Sequence, residues 1–506
     1  MTKDIKFLGG QRFHQRANDV FRMAKEDFDA INFESASWIE QLERFISRHK
    51  SEQVPRLQEL KRYSLADNNI KYRSAKTDEY AADNRIASDF ARYITIFEQG
   101  YMLGKPVQYK NEDEAIQNEI EEFSVENNES YHNVLIKTDL SVYGRAYEML
   151  TVELVDKSAV VKLVRLNPEQ TFVVYDDTYK NNSLFAVRYY RVDYGDGKWK
   201  DFVIVYCDDY IYYYVNDNQK AETGLIFDDF DDHNFQGVPV NEYSNNEDRI
   251  GAYEPVLDTI DAYDLSQSEL ANFQQDMMDA MLVITGNPYT GTDKDDFDED
   301  GNINPNSKLG VTMAFKKARV MILDDNPNPD GANPNAFYLV KEYDSEGAEV
   351  YKKRLVSDIL RFTFTPDMTD EHFSGTQSGE ALKYKLMASD NRRAMQERLF
   401  EKGLMRRLRL AVNIWRIKGN GSTAYDSINK TNIVFTPNVP KSDADIVNLA
   451  SSLLGQVSDQ TIVEILATVT GVDPEEELKR MKEEQSRLPA PRVPEPPDDP
   501  VDEEEE

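Results

Sequence analysis

GAYEPVLDTIDAYDLSQSELANFQQDMMDAMLVI, residues 251–284, has the apolar spacing of one long amphipathic helix. Its apolar residues recur mostly every three or four positions, which places a continuous apolar stripe on one helix face. Residues 378–418 repeat this spacing over a longer span. A helix of about 30 residues is about 45 Å long, more than a single domain requires. Helices of this length typically act as struts in an assembly.

The composition is that of a folded and strongly acidic protein. The chain has 506 residues, of which 40% are hydrophobic and 11% aromatic, and its length suggests about three domains. The formal net charge of −33 argues against ordinary DNA affinity, which arises when Lys and Arg displace phosphate counterions. Cys207 is the only cysteine, so an intrachain disulfide and a cysteine metal cluster are excluded. Its strand-like surroundings predict a half-buried structural thiol.

The N-terminal half of the chain is predicted to form one α+β domain, which ends near residue 250. Its first part has mostly helical spacing, with one apolar stripe that contains Trp38, Leu42 and Ile46. A second stripe begins at Ile86. From about Ala146 the apolar period changes to two, which predicts a meandering antiparallel sheet.

A polar insertion rich in Gly, Pro and Asn follows the first long helix. Within it, residues 310–323 and 335–343 are predicted to form strands. A second helix is predicted at about residues 347–361. Because a compact insertion between two helices favours antiparallel neighbours, this helix is expected to run back beside the first.

The C-terminal region is predicted to contain three short helices within residues 441–485. Ser458 is predicted to cap the second helix, and Asp473 the third, where proline follows at the first helical position. The last segment, residues 486–506, is Pro-rich and then acidic. Because such a composition cannot bury a core, the segment is predicted to be disordered.

Four segments of the chain resemble the portal proteins of long-tailed bacteriophages that infect Gram-positive bacteria. They are YMLGKPVQY (101–109), VYGRAYEML (142–150), EYSNNEDRIGAYEPVLDTIDAYDLSQSE (242–269) and PDMTDEHFSGTQSGEALKYKL (366–386), and their order and spacing also match. The resemblance implies a ring of about twelve subunits at one capsid vertex. This ring is a head-to-tail connector through which DNA is packaged and later ejected, and it has no enzymatic activity.

The same resemblance implies an α+β, predominantly α fold that is divided into wing, stem, clip and crown. The regions are the wing at 1–250, first stem helix 251–284, clip 285–343, second stem helix 344–362, tunnel loop 363–377, long wing helix with a return strand 378–440, crown 441–485 and acidic tail 486–506. The tunnel loop projects from each subunit into the channel and touches DNA.

The candidate DNA-contacting residues lie in this tunnel loop. Connections between helices usually span about 2–8 residues, and this one is longer. Gly375 and Gly379 are predicted hinges, since glycine tolerates backbone angles that other residues avoid. The predicted channel-facing side chains, which are polar or acidic and suit sliding contact, are Thr365, Asp367, Asp370, Glu371, His372 and Ser374.

The resemblance also implies a set of partners. They are other copies of the chain, double-stranded DNA, the terminase motor, the scaffold and major capsid proteins, and a head-completion adaptor, with no membrane. The terminase is expected to hydrolyse ATP, because this chain lacks a Walker A motif. For a channel, acidic charge supplies repulsion that lets DNA pass; solubility alone is the alternative explanation. The chain is expected in the host cytoplasm during assembly and then in the virion.

One acidic segment, DFDEDGNIN (296–304), matches the first half of a calcium loop. Asp296, Asp298 and Asp300 alternate as hard oxygen ligands before a turn glycine. Ser307 occupies the twelfth position, where a bidentate glutamate is required. A solvated acidic turn is therefore favoured and no cofactor is predicted, with Ca²⁺ or Mg²⁺ binding as the alternative.

Two other classes of function stay open. A different structural head protein, such as a scaffold or adaptor, is one alternative. A metal-dependent nuclease or hydrolase is the other, and it requires the carboxylates of 227–232 or 296–300 to converge with a histidine. FDDFDDH, residues 227–233, is instead interpreted as an exposed acidic turn between strands.

Basic residues cluster on the predicted helices despite the acidic net charge. Arg392 and Arg393 form one cluster, and Arg406, Arg407 and Arg409 another. Such clusters usually lie on solvated helix faces or form ion pairs. The second cluster is expected to pair with acidic neighbours, because no aromatic residues interleave with it as in a strand-binding platform.

Overall fold

The computed structural model shows a mixed α+β chain that divides into two compact units. It describes residues 12–76, 81–155, 158–219, 224–278, 281–286, 292, 295–298, 300–318, 320–324, 335–339, 344–367, 379–417, 424–438 and 443–487. The first unit comprises Met1–Asp370 and Leu386–Asn438, and the second comprises Glu371–Lys385 and Val439–Glu506.

Helices account for about half of the fold. They are α1 (Lys25–Asp29), α2 (Ala36–Arg48), α3 (Val54–Ser64), α4 (Phe90–Leu103), α5 (Glu114–Glu126), α6 (Glu129–Tyr143), α7 (Leu257–Met278), α8 (Lys308–Lys317), α9 (Ser345–Phe362), α10 (Gly379–Ile417), α11 (Ala424–Ile428), α12 (Asp443–Leu453), α13 (Asp459–Thr470) and α14 (Pro474–Arg487). A π-helical turn at His49–Gln53 joins α2 to α3, and short 3₁₀ turns lie at Asn69–Tyr72 and Glu254–Val256.

Strands form four sheets within the described residues. They are β1 (Phe21–Arg22), β2 (Gln108–Lys110), β3 (Arg145–Val155), β4 (Ser158–Leu166), β5 (Thr171–Tyr175), β6 (Ser183–Gly195), β7 (Lys198–Tyr206), β8 (Tyr210–Asp217), β9 (Ile226–Asp232), β10 (Val240–Ser244), β11 (Met281–Gly286), β12 (Val320–Asp324), β13 (Asn335–Leu339) and β14 (Asn432–Val434). The sheet orders are β1-β5-β6-β7-β8-β9, β10-β3-β4, β12-β11-β13 and β14-β2.

The period-two region folds into two sheets, so the prediction of one meander is wrong. Strands β5 to β9 do form an antiparallel meander, to which β1 adds in parallel. Strands β3 and β4 belong to a separate sheet, because β3 pairs with the distant β10. A period of two reports the two faces of a strand and leaves its partner unspecified.

Helix α2 packs on the larger sheet through the predicted apolar stripe. Ser35 caps the helix, since its Oγ accepts a hydrogen bond from Trp38 N at 3.3 Å. Trp38, Leu42 and Ile46 are buried in one core cluster with residues of β5 to β8. Trp38 Nε1 also donates to Tyr214 Oη at 2.8 Å, which joins the helix to β8. The stripe prediction is therefore confirmed.

Helices α7 and α9 lie side by side and antiparallel, as predicted. Lys352 Nζ donates to Gln267 Oε1 at 2.9 Å. About two turns further along α9, Ile359 packs in a cluster with Ile260. Contacts therefore move back along α7 as they advance along α9. The predicted extent of the first helix is wrong at its C-terminal end, because α7 stops before β11. The run Leu-Val-Ile-Thr inside β11 is rich in β-branched residues, which favour strands.

The insertion differs from its prediction in one segment. Residues 310–323 are not a single strand, because α8 occupies the first part and β12 the second. Ser307 Oγ accepts from Gly310 N at 3.0 Å and so caps α8. The strand predicted at 335–343 is confirmed over β13.

An extended segment, residues 81–89, lies along α7 and is held by side chains of that helix. Backbone N–H groups two residues apart donate to side chains four residues apart. The four bonds are Ser88 N to Asp264 Oδ1 at 2.8 Å, Ile86 N to Ser268 Oγ at 2.9 Å, Asn84 N to Asn272 Oδ1 at 2.6 Å and Ala82 N to Asp276 Oδ1 at 3.4 Å. Ile86, predicted in a helical stripe, is therefore extended and 39% exposed.

Helix α10 has 39 residues and confirms the long helix predicted at 378–418. Its buried stripe includes Leu386, Leu404, Leu408, Val412 and Trp415. Met395, which the spacing places in this stripe, is instead 68% exposed. The adjacent Gln396 is buried in its place, because a buried group of charged side chains needs a polar partner there.

The second unit contains three short helices, α12 to α14, as predicted. Ser458 Oγ accepts from Thr461 N at 3.4 Å, and Asp473 Oδ1 accepts from Glu475 N at 2.9 Å, so both predicted caps are confirmed. Gly471 ends α13 with a φ of +70°, the left-handed conformation that glycine adopts at least cost. The tail from residue 488 onward lies outside the described residues.

Candidate functional site

The described root of the loop after α9 is residues 363–367. Thr363 Oγ1 donates to Ile359 O at 2.8 Å, and Thr365 N donates to Leu360 O at 2.9 Å, so the last turn of α9 is closed. Phe364 has a φ of +55°, a left-handed conformation that residues other than glycine rarely adopt. Such a residue ends a helix abruptly, and surrounding contacts must hold it in place.

Two helices hold this root through its carbonyl groups. Ser389 Oγ of α10 donates to Phe364 O at 2.6 Å, and Arg392 of the same helix donates to Thr363 O. Tyr93 Oη of α4 donates to Pro366 O at 3.3 Å. The guanidinium of Arg392 also lies over the Phe364 ring, 5.8 Å from its centroid. The root is thereby fixed to α4 and α10.

Behind the root lies a buried group of charged side chains, which sequence reasoning missed. Arg392 Nη2 lies 2.6 Å from Glu98 Oε1, and Lys137 Nζ lies 3.1 Å from Glu98 Oε2. Ser141 Oγ donates to the same carboxylate at 2.7 Å. Burial alone would raise the pKa of Glu98, but Lys137 and Arg392 outweigh it and lower this pKa to about 2. Glu98 therefore stays ionised and ties α4, α6 and α10 together.

The predicted channel-facing residues are only partly described. Thr365 is 5% exposed and its hydroxyl bonds to Thr363, so its side chain faces the protein. Asp367 is half-buried, and Gly379 is the first residue of α10. The other predicted residues, Asp370, Glu371, His372, Ser374 and Gly375, lie outside the described residues. Apart from Thr365, these assignments stay predictions.

A second buried ionic group surrounds Arg407 of α10. Arg407 is fully buried, and its guanidinium lies 2.6 Å from Glu129 Oε1 and 2.7 Å from Glu148 Oε2. His132 Nε2 lies 3.0 Å from the same Glu148 carboxylate. Burial alone would raise the pKa of Glu148, but Arg407 and His132 lower it well below its usual range.

The prediction that this basic cluster forms ion pairs with carboxylates is confirmed for Arg407 and wrong for Arg406 and Arg409. Arg406 donates to Ser183 Oγ at 3.0 Å and to Val238 O at 3.2 Å. Arg409 donates to Asn429 Oδ1 at 2.8 Å. These acceptors are neutral, and no carboxylate of the described residues lies within 4 Å of either guanidinium, while Asp208 attracts Arg406 from farther away.

The acidic segment at 296–304 forms a tight turn. Asp298 Oδ1 accepts the backbone N–H groups of Asp300 at 3.1 Å and Asn302 at 2.7 Å, and Asp296 Oδ1 accepts Leu309 N at 3.3 Å. These oxygens are therefore engaged by the backbone. Within the described residues, no three His, Cys, Asp or Glu side chains are placed to hold a metal ion. Asp296, Asp298 and Asp300 are exposed, and the alternative of Ca²⁺ or Mg²⁺ binding at these residues stays a prediction.

The acidic segment at 227–233 is a strand, so its interpretation as a turn is wrong. Residues 227–232 lie in β9, an edge strand of the larger sheet. His233 Nε2 lies 2.9 Å from Cys207 O. Cys207 is buried, more completely than the half-buried thiol that the sequence predicts, and burial raises its pKa.

Comparison with known proteins places this chain in the class of phage portal proteins. Residues 43–488 match the family described as phage portal protein, SPP1 Gp6-like, and the chain belongs to this family. The portal protein of Bacillus phage SPP1 is 22% identical over 498 residues, which cover 93% of this chain and 92% of that protein.

One similar solved structure is described as "Neck of empty GTA particle computed with C6 symmetry". It is 11% identical with a TM-score of 0.36, and the match covers 83% of this chain and 94% of that one. Among the described residues, no helix is long and apolar enough to cross a membrane. A phage portal protein is a component of the virion, and its family is structural.

Proposed function

We propose that about twelve copies of this chain form a closed ring, which is the DNA channel at one vertex of the capsid. Family membership carries the proposal, since the match to portal proteins spans most of the chain. The genome is packaged and later ejected through this ring, which also joins head to tail. The ring itself catalyses no reaction, and a terminase motor hydrolyses ATP.

In this proposal the loop at 363–377 projects from each copy into the channel. The support is its anchored root, where Ser389, Arg392 and Tyr93 fix the backbone to two helices. A rigid support is what positions a functional loop. The proposed DNA contacts are Asp367, Asp370, Glu371, His372 and Ser374, with Gly375 and Gly379 as hinges. Thr365 is left out because its side chain is buried.

The acidic character of the chain suits a passive channel. Its net charge is −33, and like charges repel the DNA backbone, so few phosphate contacts must break as DNA advances. Besides DNA and the terminase, the ring meets scaffold, major capsid protein and a head-completion adaptor. The chain is made and assembled in the host cytoplasm before it enters the virion.

Native mass spectrometry and negative-stain imaging of the purified chain test the ring. Twelve copies of a 58.3 kDa chain give a particle of about 700 kDa with a central channel. A monomer or an open filament would overturn the proposal. A monomer with magnesium-dependent phosphodiesterase activity would support the nuclease alternative, and a solid particle without a channel would support a scaffold.

A further inference from the structure

One edge of the larger sheet carries an unpaired row of negative charge. Strand β9 is the last strand in the order β1-β5-β6-β7-β8-β9, and its residues from 228 onward are exposed. Its four carboxylates belong to Asp228, Asp229, Asp231 and Asp232. No Lys, Arg or His of the described residues lies within 4 Å of them; the ion pairs nearest in sequence are Lys200 with Asp217 and Arg249 with Glu242.

A basic cleft lies between β5, β10 and α10 in the same unit. It has a volume of about 590 Å³ and is lined by six basic side chains against two acidic ones, Asp208 and Glu242. The six are Arg22, Lys180, Arg249, Lys402, Arg406 and Arg409. In a chain with 92 acidic and 59 basic residues, such a cleft runs against the overall composition.

Most of this positive charge has no carboxylate in direct contact with it among the described residues. Arg249 pairs with Glu242 at 2.8 Å, and none of the other five basic residues has a described carboxylate within 4 Å. Arg406 donates only to a hydroxyl and a carbonyl, and burial lowers its pKa. Asp208 of the same cleft attracts Arg406 without contacting it, and an external anion would add a direct partner.

The two charged surfaces are different parts of one unit. Arg22 belongs to β1, and Lys180 lies in the turn between β5 and β6, whereas the acidic row is β9. The cleft also extends to Asp208, in the turn before β8, and to Gly237, so it runs along the end of the sheet toward β9. A head-to-tail ring needs such a pair of different, complementary surfaces on each subunit.

We propose that the acidic strand β9 of one copy docks into the basic cleft of the next copy. This inference rests on the proposed ring and deepens it by naming a charged contact between subunits. A second copy is the partner because it supplies the required anions itself. Subunits that each carry a net charge of −33 repel one another, and complementary charges at the contact offset this repulsion and fix the orientation.

Charge reversal in the full chain tests the contact. One variant carries Asp228→Lys with Asp232→Lys, and a second carries Lys180→Glu with Lys402→Glu; all four side chains lie on exposed residues. Each should raise the concentration needed for half-assembly by at least about tenfold, because like charges then face each other. The variant with all four changes should assemble within about threefold of the parent, because opposite charges face each other again.

A matched control and a salt series separate this contact from general charge effects. Glu122→Lys with Glu126→Lys makes the same charge change on exposed positions of α5 and should assemble like the parent. Parent assembly should also weaken as salt rises from about 0.1 to 1 M, because salt screens the pairing; the salt series applies even where a variant fails to fold.

The outcomes distinguish this contact from the ring itself. If the parent forms rings and both double variants assemble equally well, or the fourfold variant fails to recover, the contact is overturned while the ring stands. A parent that forms no ring overturns both. Rings of the cleft variant that assemble normally but lose binding to a DNA duplex would assign the cleft to nucleic acid instead, and would also overturn the contact.

Discussion

Arg406 and Arg407 are adjacent in α10 and meet opposite surroundings. Arg407 is fully buried between two carboxylates, whereas Arg406 lines a cleft and reaches only neutral acceptors. Consecutive helical residues point about 100° apart, so one helix serves both environments. The comparison separates cations that the fold compensates internally from cations that it leaves for another molecule.

Removing Arg407 should have the largest effect on stability. Arg407→Leu leaves the carboxylates of Glu129 and Glu148 buried without the guanidinium they share, which should lower the free energy of unfolding by about 3–5 kcal/mol. Urea unfolding followed by circular dichroism measures the loss. Arg409→Leu is the control, because Arg409 is exposed and should cost less than about 0.5 kcal/mol. Equal losses in the two variants would remove the distinction between compensated and uncompensated arginines.

Acid should weaken the fold through the other buried group. The pKa of Glu98 falls from 4.5 to about 2 in the folded chain. This carboxylate therefore contributes stability that is present above pH 4.5 and lost as the pH falls toward 2, on the order of 3 kcal/mol. Unfolding free energies measured across that range should decline less steeply in Glu98→Gln. Glu40→Gln removes an exposed ion pair and should keep the parent slope; a parent-like slope in Glu98→Gln would contradict the prediction.

Removing Arg406 should affect assembly more than folding. Arg406→Met deletes a charge that no described carboxylate contacts, so the free energy of unfolding should change by less than about 1 kcal/mol. Ring formation, followed by native mass spectrometry, should weaken. A stability loss as large as that of Arg407→Leu would show that Arg406 is also compensated inside the chain.

Substitutions in the loop at 363–377 should have the smallest effect on the fold. Asp370→Asn and His372→Ala should change stability by less than about 0.5 kcal/mol, yet reduce the DNA packaged in a complete head-assembly reaction. Leu386→Asp is the contrasting variant, because Leu386 is 3% exposed and a buried unpaired charge should abolish folding. Full packaging by every variant in a scan of the loop would leave it a purely architectural role.

The sequence predicted correctly those helices whose ends are marked by residues close to them in the chain. The caps at Ser458 and Asp473 and the apolar period of α10 each act within a few residues, so they are readable without the fold. Sequence reasoning missed the cap at Ser307, because residues 310–323 were predicted to form a strand and not a helix that this cap begins. It also failed at β11, because a short apolar run continues a helical pattern as readily as it forms a strand.

The buried ionic groups were only partly predictable, for a different reason. Arg407 and Glu148 are 259 positions apart in sequence, and Glu98 and Arg392 come from separate helices. No spacing rule joins such residues, because the contacts are created when α10 packs against α4, α6 and β3. The sequence predicted that these arginines form ion pairs with carboxylates. Which arginine forms them depends on the packing of the fold.

The extended segment that lies along α7 has a mechanical consequence. Four helical residues advance about 6.0 Å, whereas two extended residues advance about 6.6 Å, so the two repeats nearly coincide and drift apart by about 2 Å over three steps. The last of the four hydrogen bonds, at 3.4 Å, is the longest. The segment therefore restrains rotation of α7, because the helix cannot turn about its own axis without breaking all four hydrogen bonds. The series of bonds ends where the repeat of the helix and the repeat of the extended segment no longer coincide.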